Sequence, residues 1–208
     1  MQQNLVWKPW TNPGVEHLSL AVASDGISAS GQLIQSIRGN SIAATYLLTY
    51  DERWRFRRLW LKVDNQGQRS LELRRDIRGH WHLNGRPRED LADCQQVMLS
   101  ATPFTHTALL QSGSLAVGDG ERFRVAHVDL LGLRVEPRTQ RYQCLQRHPS
   151  HTLYQCDAEG HEPCELTLDG DGLLVQASSS APAGNCCARP TAPEQTPARR
   201  MPAGQCLA

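Results

Sequence analysis

The chain has 208 residues, 39% apolar and 21% charged, which is the composition of a soluble globular domain and excludes a fibre or a wholly unfolded chain. Lys and Arg number 22 against 21 Asp and Glu, for a net charge of +1, so nucleic acid is not expected as a partner. No apolar run approaches the roughly 18 residues of a membrane helix, and Met1-Gln2-Gln3-Asn4-Leu5 lacks the basic cluster and apolar stretch of a signal peptide, so the expected location is cytoplasmic.

From the N-terminus the dominant period is two. Leu18, Leu20 and Val22 share one face of a strand while His17 and Ser19 share the other. Ile42, Thr45, Tyr46, Thr49 and Tyr50 make residues 41–50 a strand of pleat-loving side chains. The next run is irregular. Trp54 and Phe56 alternate with Arg53, Arg55 and Arg57, and then Arg58 stands where an apolar residue is due. Leu59, Leu61 and Val63 resume on the opposite parity. A strict strand cannot do this, because a slip of one residue turns every side chain over. A β-bulge near Arg57-Arg58 absorbs the extra residue. It makes Arg58 a candidate inward-facing cation; a kink between two strands with a solvated Arg58 is the alternative.

Leu71 and Leu73 continue the alternation. Asn84-Gly85, after His80-Trp81-His82-Leu83, predicts a tight hairpin. Between Pro87 and Leu99 there is room for a short turn at Glu89–Leu91 and no more. Thr102-Pro103-Phe104-Thr105-His106-Thr107 reads as a strand with Thr105 and Thr107 on one face and Phe104 and His106 on the other. Phe123 and Val125, then Leu166 and Leu168, alternate with polar neighbours, and Asp-Gly turns separate the runs. No amphipathic helix of ten or more residues is expected. The fold class is therefore all-β: an antiparallel meander that must close into a barrel, sandwich or roll to protect its edges. It occupies residues 1–177. Residues 178–208 are rich in Pro, Ala and Ser with almost no large apolar side chain, and are expected to be a disordered tail.

Trp54, Trp81, Gln140-Arg141-Tyr142, the segment Tyr46–Trp54 (YLLTYDERW), Gly14-Val15-Glu16, the TPFT segment and Leu168-Asp169-Gly170-Asp171-Gly172 together resemble the family of bacterial proteins described as putative glycolipid-binding. The resemblance covers most of residues 7–175. It implies a spiral β-roll, a long meander coiled about an internal cavity, and a role in binding a glycolipid or another amphipathic small molecule. The chain departs from the family pattern at several points. Gln96 and Met98 stand where acidic residues are usual before the TPFT segment, His106 replaces an Asn, and Ala108-Leu109-Leu110-Gln111 replaces a Leu-Pro-Ile-Arg-Arg run. These departures weigh against assigning catalysis by inheritance.

The candidate ligand-binding residues are Trp54, Arg58, Trp81, Thr102, Phe104, Thr105, His106 and Tyr142. Rings would hold the apolar part of a ligand, while Arg58, the hydroxyls and His106 would orient its polar part. Each has a plainer alternative in core packing or backbone hydrogen bonding. The basic segment 51–90, with eleven basic against seven acidic residues, is either a patch for anionic groups or a solvated face of cross-strand ion pairs. His80 and His82 make half of a metal site with no third ligand to name, so neither metal nor cofactor is expected. Seven cysteines without a CxxC spacing are read as inert thiols. An enzyme of hydrolase type on a small sugar-linked or lipid-like substrate, with His106 as acid and base, is the alternative function. A divergent relative with a filled core is the third.

Overall fold

The computed structural model describes residues 2–8, 13–37, 39–100, 102–160, 162–179 and 189–190. Alternation sets its architecture. In β4 (Asn40–Tyr50), Ile42, Ala44, Tyr46, Leu48 and Tyr50 are buried and the side chains between them face out, as a half-buried strand requires. Around it, β1 (Gln2–Lys8), β2 (Gly14–Ala23), β3 (Gly26–Ile37), β5 (Phe56–Asp64), β6 (Gln68–Arg75), β7 (Trp81–Leu83) and β8 (Arg86–Pro87) pair in chain order. The two-residue strand β15 (Arg189–Pro190) adds to the outer side of β1, giving a nine-stranded sheet. A second, six-stranded sheet holds β9 (Gln96–Leu99), β10 (Gly120–Val128), β11 (Val135–His148), β12 (His151–Ala158), β13 (Cys164–Asp169) and β14 (Leu174–Ser179), again in chain order. The all-β class holds, and the curled sheets form a half-barrel.

Two local expectations are met in detail. Asn84 and Gly85 both have positive φ, +49° and +78°, the conformation of a type I′ turn between β7 and β8. Between β4 and β5 the register runs Leu48 with Leu59, Thr49 with Arg58, then Tyr50 with Phe56. Arg57 is the extra residue of a bulge, which lets Phe56 and then Leu59, Leu61 and Val63 all face the core.

Two others are corrected. The meander is not wholly antiparallel: β9 and β10 pair in parallel. A parallel pair needs a crossover, commonly a helix, and the crossover contains α1 (Phe104–Gln111). The TPFTHT segment is therefore the entry of a helix and not a strand. Phe104, Thr105, Thr107, Ala108, Leu109 and Leu110 of α1 are all buried, so the helix has no polar stripe to betray its period. Phe104 and Ala108 join the larger core, to which both sheets contribute; Leu109 and Leu110 join the smaller core of the second sheet. The Thr107 hydroxyl accepts the Leu174 N–H at 2.9 Å, fastening α1 to β14.

Residues Glu89–Leu91 form the expected single turn, of 3-10 type. At the C-terminal boundary β14 continues to Ser179, and Arg189 and Pro190 pair with Lys8 and Trp7. The rest of the segment expected to be disordered lies outside the described residues. Cys94, Cys144 and Cys156 are buried free thiols and Cys164 is a half-buried one; Cys186, Cys187 and Cys206 lie outside the described residues.

Candidate functional site

The inward row of β2 begins with a carboxylate. Glu16 precedes Leu18 and Leu20 on the same face and is only 4% exposed. The Tyr46 hydroxyl donates to Glu16 Oε1 in a short hydrogen bond. Thr102 Oγ1 lies 3.1 Å from the Tyr46 oxygen and accepts the Phe104 N–H at 3.3 Å. One directional chain results, running from the first turn of α1 through Thr102 and Tyr46 to Glu16. Gly31 makes room for it. It faces Tyr46 across β3 and β4, and a Cβ there would overlap the Tyr46 ring. Burial pushes the Glu16 carboxyl up to about 7, against the smaller opposing effect of its bonds to Tyr46 and Thr102.

An aromatic cluster adjoins this chain. Phe104, two residues from Thr102, has its ring centroid 6.2 Å from that of Tyr50 and 6.3 Å from that of Trp54; Tyr50 and Trp54 are 6.0 Å apart. Trp54 sits in the turn before β5 with φ of +60°, an uncommon conformation for so large a side chain. The Asp51 carboxylate sustains the turn by accepting the N–H groups of Arg53 and Arg55. Trp54 is half-buried, whereas Tyr50 and Phe104 are fully buried. Gln96 Nε2 donates to the Trp54 carbonyl at 2.6 Å.

Two polar atoms of this cluster have no hydrogen-bond partner among the described residues. They are the hydroxyl of Tyr50, 3% exposed, and Oε1 of Gln96, 2% exposed. Leaving such a group unpaired costs about 1–3 kcal/mol. Burial holds the Tyr50 hydroxyl far above its ordinary pKa, so it stays neutral. It can donate and accept, while Gln96 Oε1 accepts only. A hydroxyl group can pair with either.

On the other side of α1, Tyr142 donates to Gln140 Oε1 at 2.8 Å, and its oxygen is 2.7 Å from His106 Nδ1. With the phenol proton on Gln140, the imidazole proton belongs on Nδ1, and Nε2 is the acceptor. His106 is half-buried, and burial pushes its pKa down to about 4, so the ring is neutral at pH 7.

The eight candidates thus divide. Trp54, Phe104 and Thr102 come together with Glu16, Tyr46, Tyr50 and Gln96. His106 and Tyr142 form a separate hydrogen-bonded pair. The Thr105 hydroxyl turns inward to Met98 Sδ at 2.9 Å and the Thr102 carbonyl at 3.2 Å. Trp81 is a core residue stacked on Phe56, with ring centroids 5.1 Å apart and planes at 13°. Arg58 is not an inward cation. Its guanidinium is half exposed and pairs with Glu72 at 2.8 Å on the outer face, because the bulge places the extra residue at Arg57. Neighbouring basic residues pair likewise: Arg55 and Arg57 with Asp51, Arg88 with Asp90. His80 is hydrogen-bonded to Asp76. Among the described residues no group of three or more His, Cys, Asp or Glu side chains is placed to hold a metal ion.

The residue types at the site were visible as a motif, but their roles were not. Glu16 shares the parity of Leu18 and Leu20, which marks it as inward. Tyr46 and Tyr50 share the parity of Ile42 and Leu48. Gln96 precedes the apolar run Val97-Met98-Leu99.

A family model described as Putative glycolipid-binding matches residues 4–182. The chain belongs to that family. The crystal structure of a DUF1089 family protein from Pseudomonas aeruginosa has the same fold, with a TM-score of 0.68 and 26% identity over 79% of this chain and 89% of that one. No curated protein matches. The glycolipid-binding family match spans both sheets and includes every residue of the cluster around Trp54.

Proposed function

We propose that the protein binds an amphipathic small molecule with a hydroxylated, glycosyl-type headgroup, seated at the cluster of Tyr50, Trp54, Gln96, Thr102 and Phe104. The observation that carries this reading is the pair of buried polar atoms without a partner among the described residues, Tyr50 Oη and Gln96 Oε1, on two residues that both contact the half-buried Trp54. Native proteins leave few such groups, and each asks for an explanation. A ligand hydroxyl that donates to Gln96 and accepts from Tyr50 supplies one. The Trp54 and Phe104 rings offer apolar faces to a sugar ring or an alkyl chain. Membership of a family described as binding glycolipids points the same way. No helix among the described residues is long and apolar enough to cross a membrane.

Native mass spectrometry of the full chain purified from cells tests the reading. A retained small molecule is expected on the wild type and is expected to be lost from Trp54→Ala, with the fold checked by circular dichroism. A folded wild type that carries nothing, and binds no added alkyl glycoside, would leave the family's β-roll without this activity.

A further inference from the structure

In the second sheet two cysteines stand directly opposite one another. Cys156 of β12 and Cys164 of β13 are register partners in an antiparallel pair, so their side chains project from the same face. That face is the inner one. Cys156 is 2% exposed, Cys164 is half-buried against the same core, and Leu166 and Leu168, which continue the parity of Cys164, are buried. Opposed residues in an antiparallel ladder have Cα atoms about 4.5 or 5.5 Å apart, and both spacings fall inside the roughly 4.4–6.8 Å that a disulfide spans. Both residues are thiols in this structure.

We propose that Cys156 and Cys164 are a redox-active dithiol, oxidised by a peroxide to a cross-strand disulfide and returned to thiols by a dithiol reductant. Cys164 is the more exposed of the two and meets the oxidant first. Its thiolate attacks one peroxide oxygen. The O–O bond breaks, and the departing oxygen takes up the thiol's proton and leaves as alcohol or water, with Cys164 now a sulfenic acid. The Cys156 sulfur then attacks the Cys164 sulfur. The S–O bond breaks, and the hydroxyl leaves as water with the Cys156 proton. The two sulfurs give up a pair of electrons in all, and the peroxide receives them. In the return step the reductant supplies that electron pair and both protons and becomes a disulfide itself.

Among the described cysteines the sheet favours this pair. Cys144 of β11 is also buried in the same core, but its register partner is Tyr154, and Cys156 lies opposite Tyr142. Cys144 and Cys156 are therefore diagonal neighbours, about 7–8 Å apart, too far for a disulfide without a shift of the backbone. Cys94 belongs to the other core. The ladder has already brought Cys156 and Cys164 face to face, so the bond asks for no rearrangement of the strands. The absence of a CxxC spacing does not bear on the pair, since its members meet across the ladder and not along the chain.

Mass spectrometry of the full chain tests this. The protein is reduced with dithiothreitol, freed of it, treated with hydrogen peroxide, then unfolded in urea, alkylated with iodoacetamide and digested. One pair of peptides should be recovered joined through Cys156 and Cys164, with neither residue alkylated, and dithiothreitol should return both thiols. The same joined pair is expected from the full chain carrying Cys186→Ser, Cys187→Ser and Cys206→Ser, which removes other thiols that could compete. Cys156→Ser, checked for its fold by circular dichroism, should stop at a sulfenic acid on Cys164 that dimedone traps. The wild-type peptide map stands whether or not these variants fold. Cys156 and Cys164 both recovered as alkylated thiols, Cys164 joined to a different cysteine in place of Cys156, or Cys164 carried to a sulfinic acid beside an unchanged Cys156 would each overturn the proposal. The binding reading is untouched by any of these results.

Discussion

At the scale of single residues, buried Glu16 beside the start of α1 and half-buried His106 on α1 titrate in opposite senses. Folded Glu16 keeps its proton to about pH 7, whereas a free Glu loses it near 4.5. The stability tied to this proton is complete below pH 4.5 and declines as pH rises through 7, by about 3 kcal/mol in all. Folded His106 stays neutral down to about pH 4, against an ordinary 6.5. Its contribution is complete above pH 6.5 and is lost as pH falls through 4. Between 4.5 and 6.5 the two slopes oppose one another and flatten the sum. Urea unfolding from pH 4 to 8 checks this: Glu16→Gln should unmask a stability that rises with pH up to 6.5, and His106→Gln one that falls from 4.5 to 7. A Glu16→Gln profile parallel to the wild type would mean that Glu16 is ionised in the folded protein. Neither group was legible as titrating. The inward parity of Leu18 and Leu20 extends back to Glu16, but the environment of its carboxyl depends on Tyr46 and Thr102, which are distant in the chain and meet it only through register and the turn into α1.

Among the elements, strands were legible and the helix was not. The strands announce themselves by alternation, and even the bulge at Arg57 follows from the change of parity between Phe56 and Leu59. Its consequence for Arg58 was available too, since Arg58 shares the parity of the outward Trp60 and Lys62. The helix α1 hides because both its sides are buried, one in each of the two cores. The surviving signal was Thr102-Pro103, a side-chain acceptor for the first helical N–H followed by a proline at the helix start. Likewise β9, with all four residues buried, reads as an apolar run without the alternation of an exposed antiparallel strand. The attachment of α1 to the second sheet depends on Thr107. Thr107→Val keeps the shape but leaves the Leu174 N–H buried without its acceptor, and should cost about 1–3 kcal/mol. Chemical unfolding measures this, and an unchanged midpoint would show that the Leu174 N–H finds another partner.

On the scale of the whole molecule, two curled sheets and one buried helix bring together residues from β2, β4, β9, the turn before β5 and the start of α1. Carbohydrate or lipid chemistry was suggested by the resemblance to the family, and the family is the right one; the residues that meet were not all those expected. Trp81 is absorbed by the stack on Phe56 and Arg58 by the ion pair with Glu72, while Tyr50 and Gln96 hold buried polar atoms with no partner among the described residues. The order of side chains along a strand is local, but which strands share a site is decided by the curl of the sheets and by the crossover through α1.

If these residues hold an amphiphile with its tail against Trp54 and Phe104, affinity must depend on the length of the tail. Titrating the Trp54 fluorescence with alkyl maltosides of six to twelve carbons, with Trp54→Phe to assign the signal, measures this most directly. Each added methylene should strengthen binding by about 0.8 kcal/mol, close to fourfold, until the apolar surface is used up. An affinity that does not change with chain length, or a fluorescence that never saturates, would contradict the account.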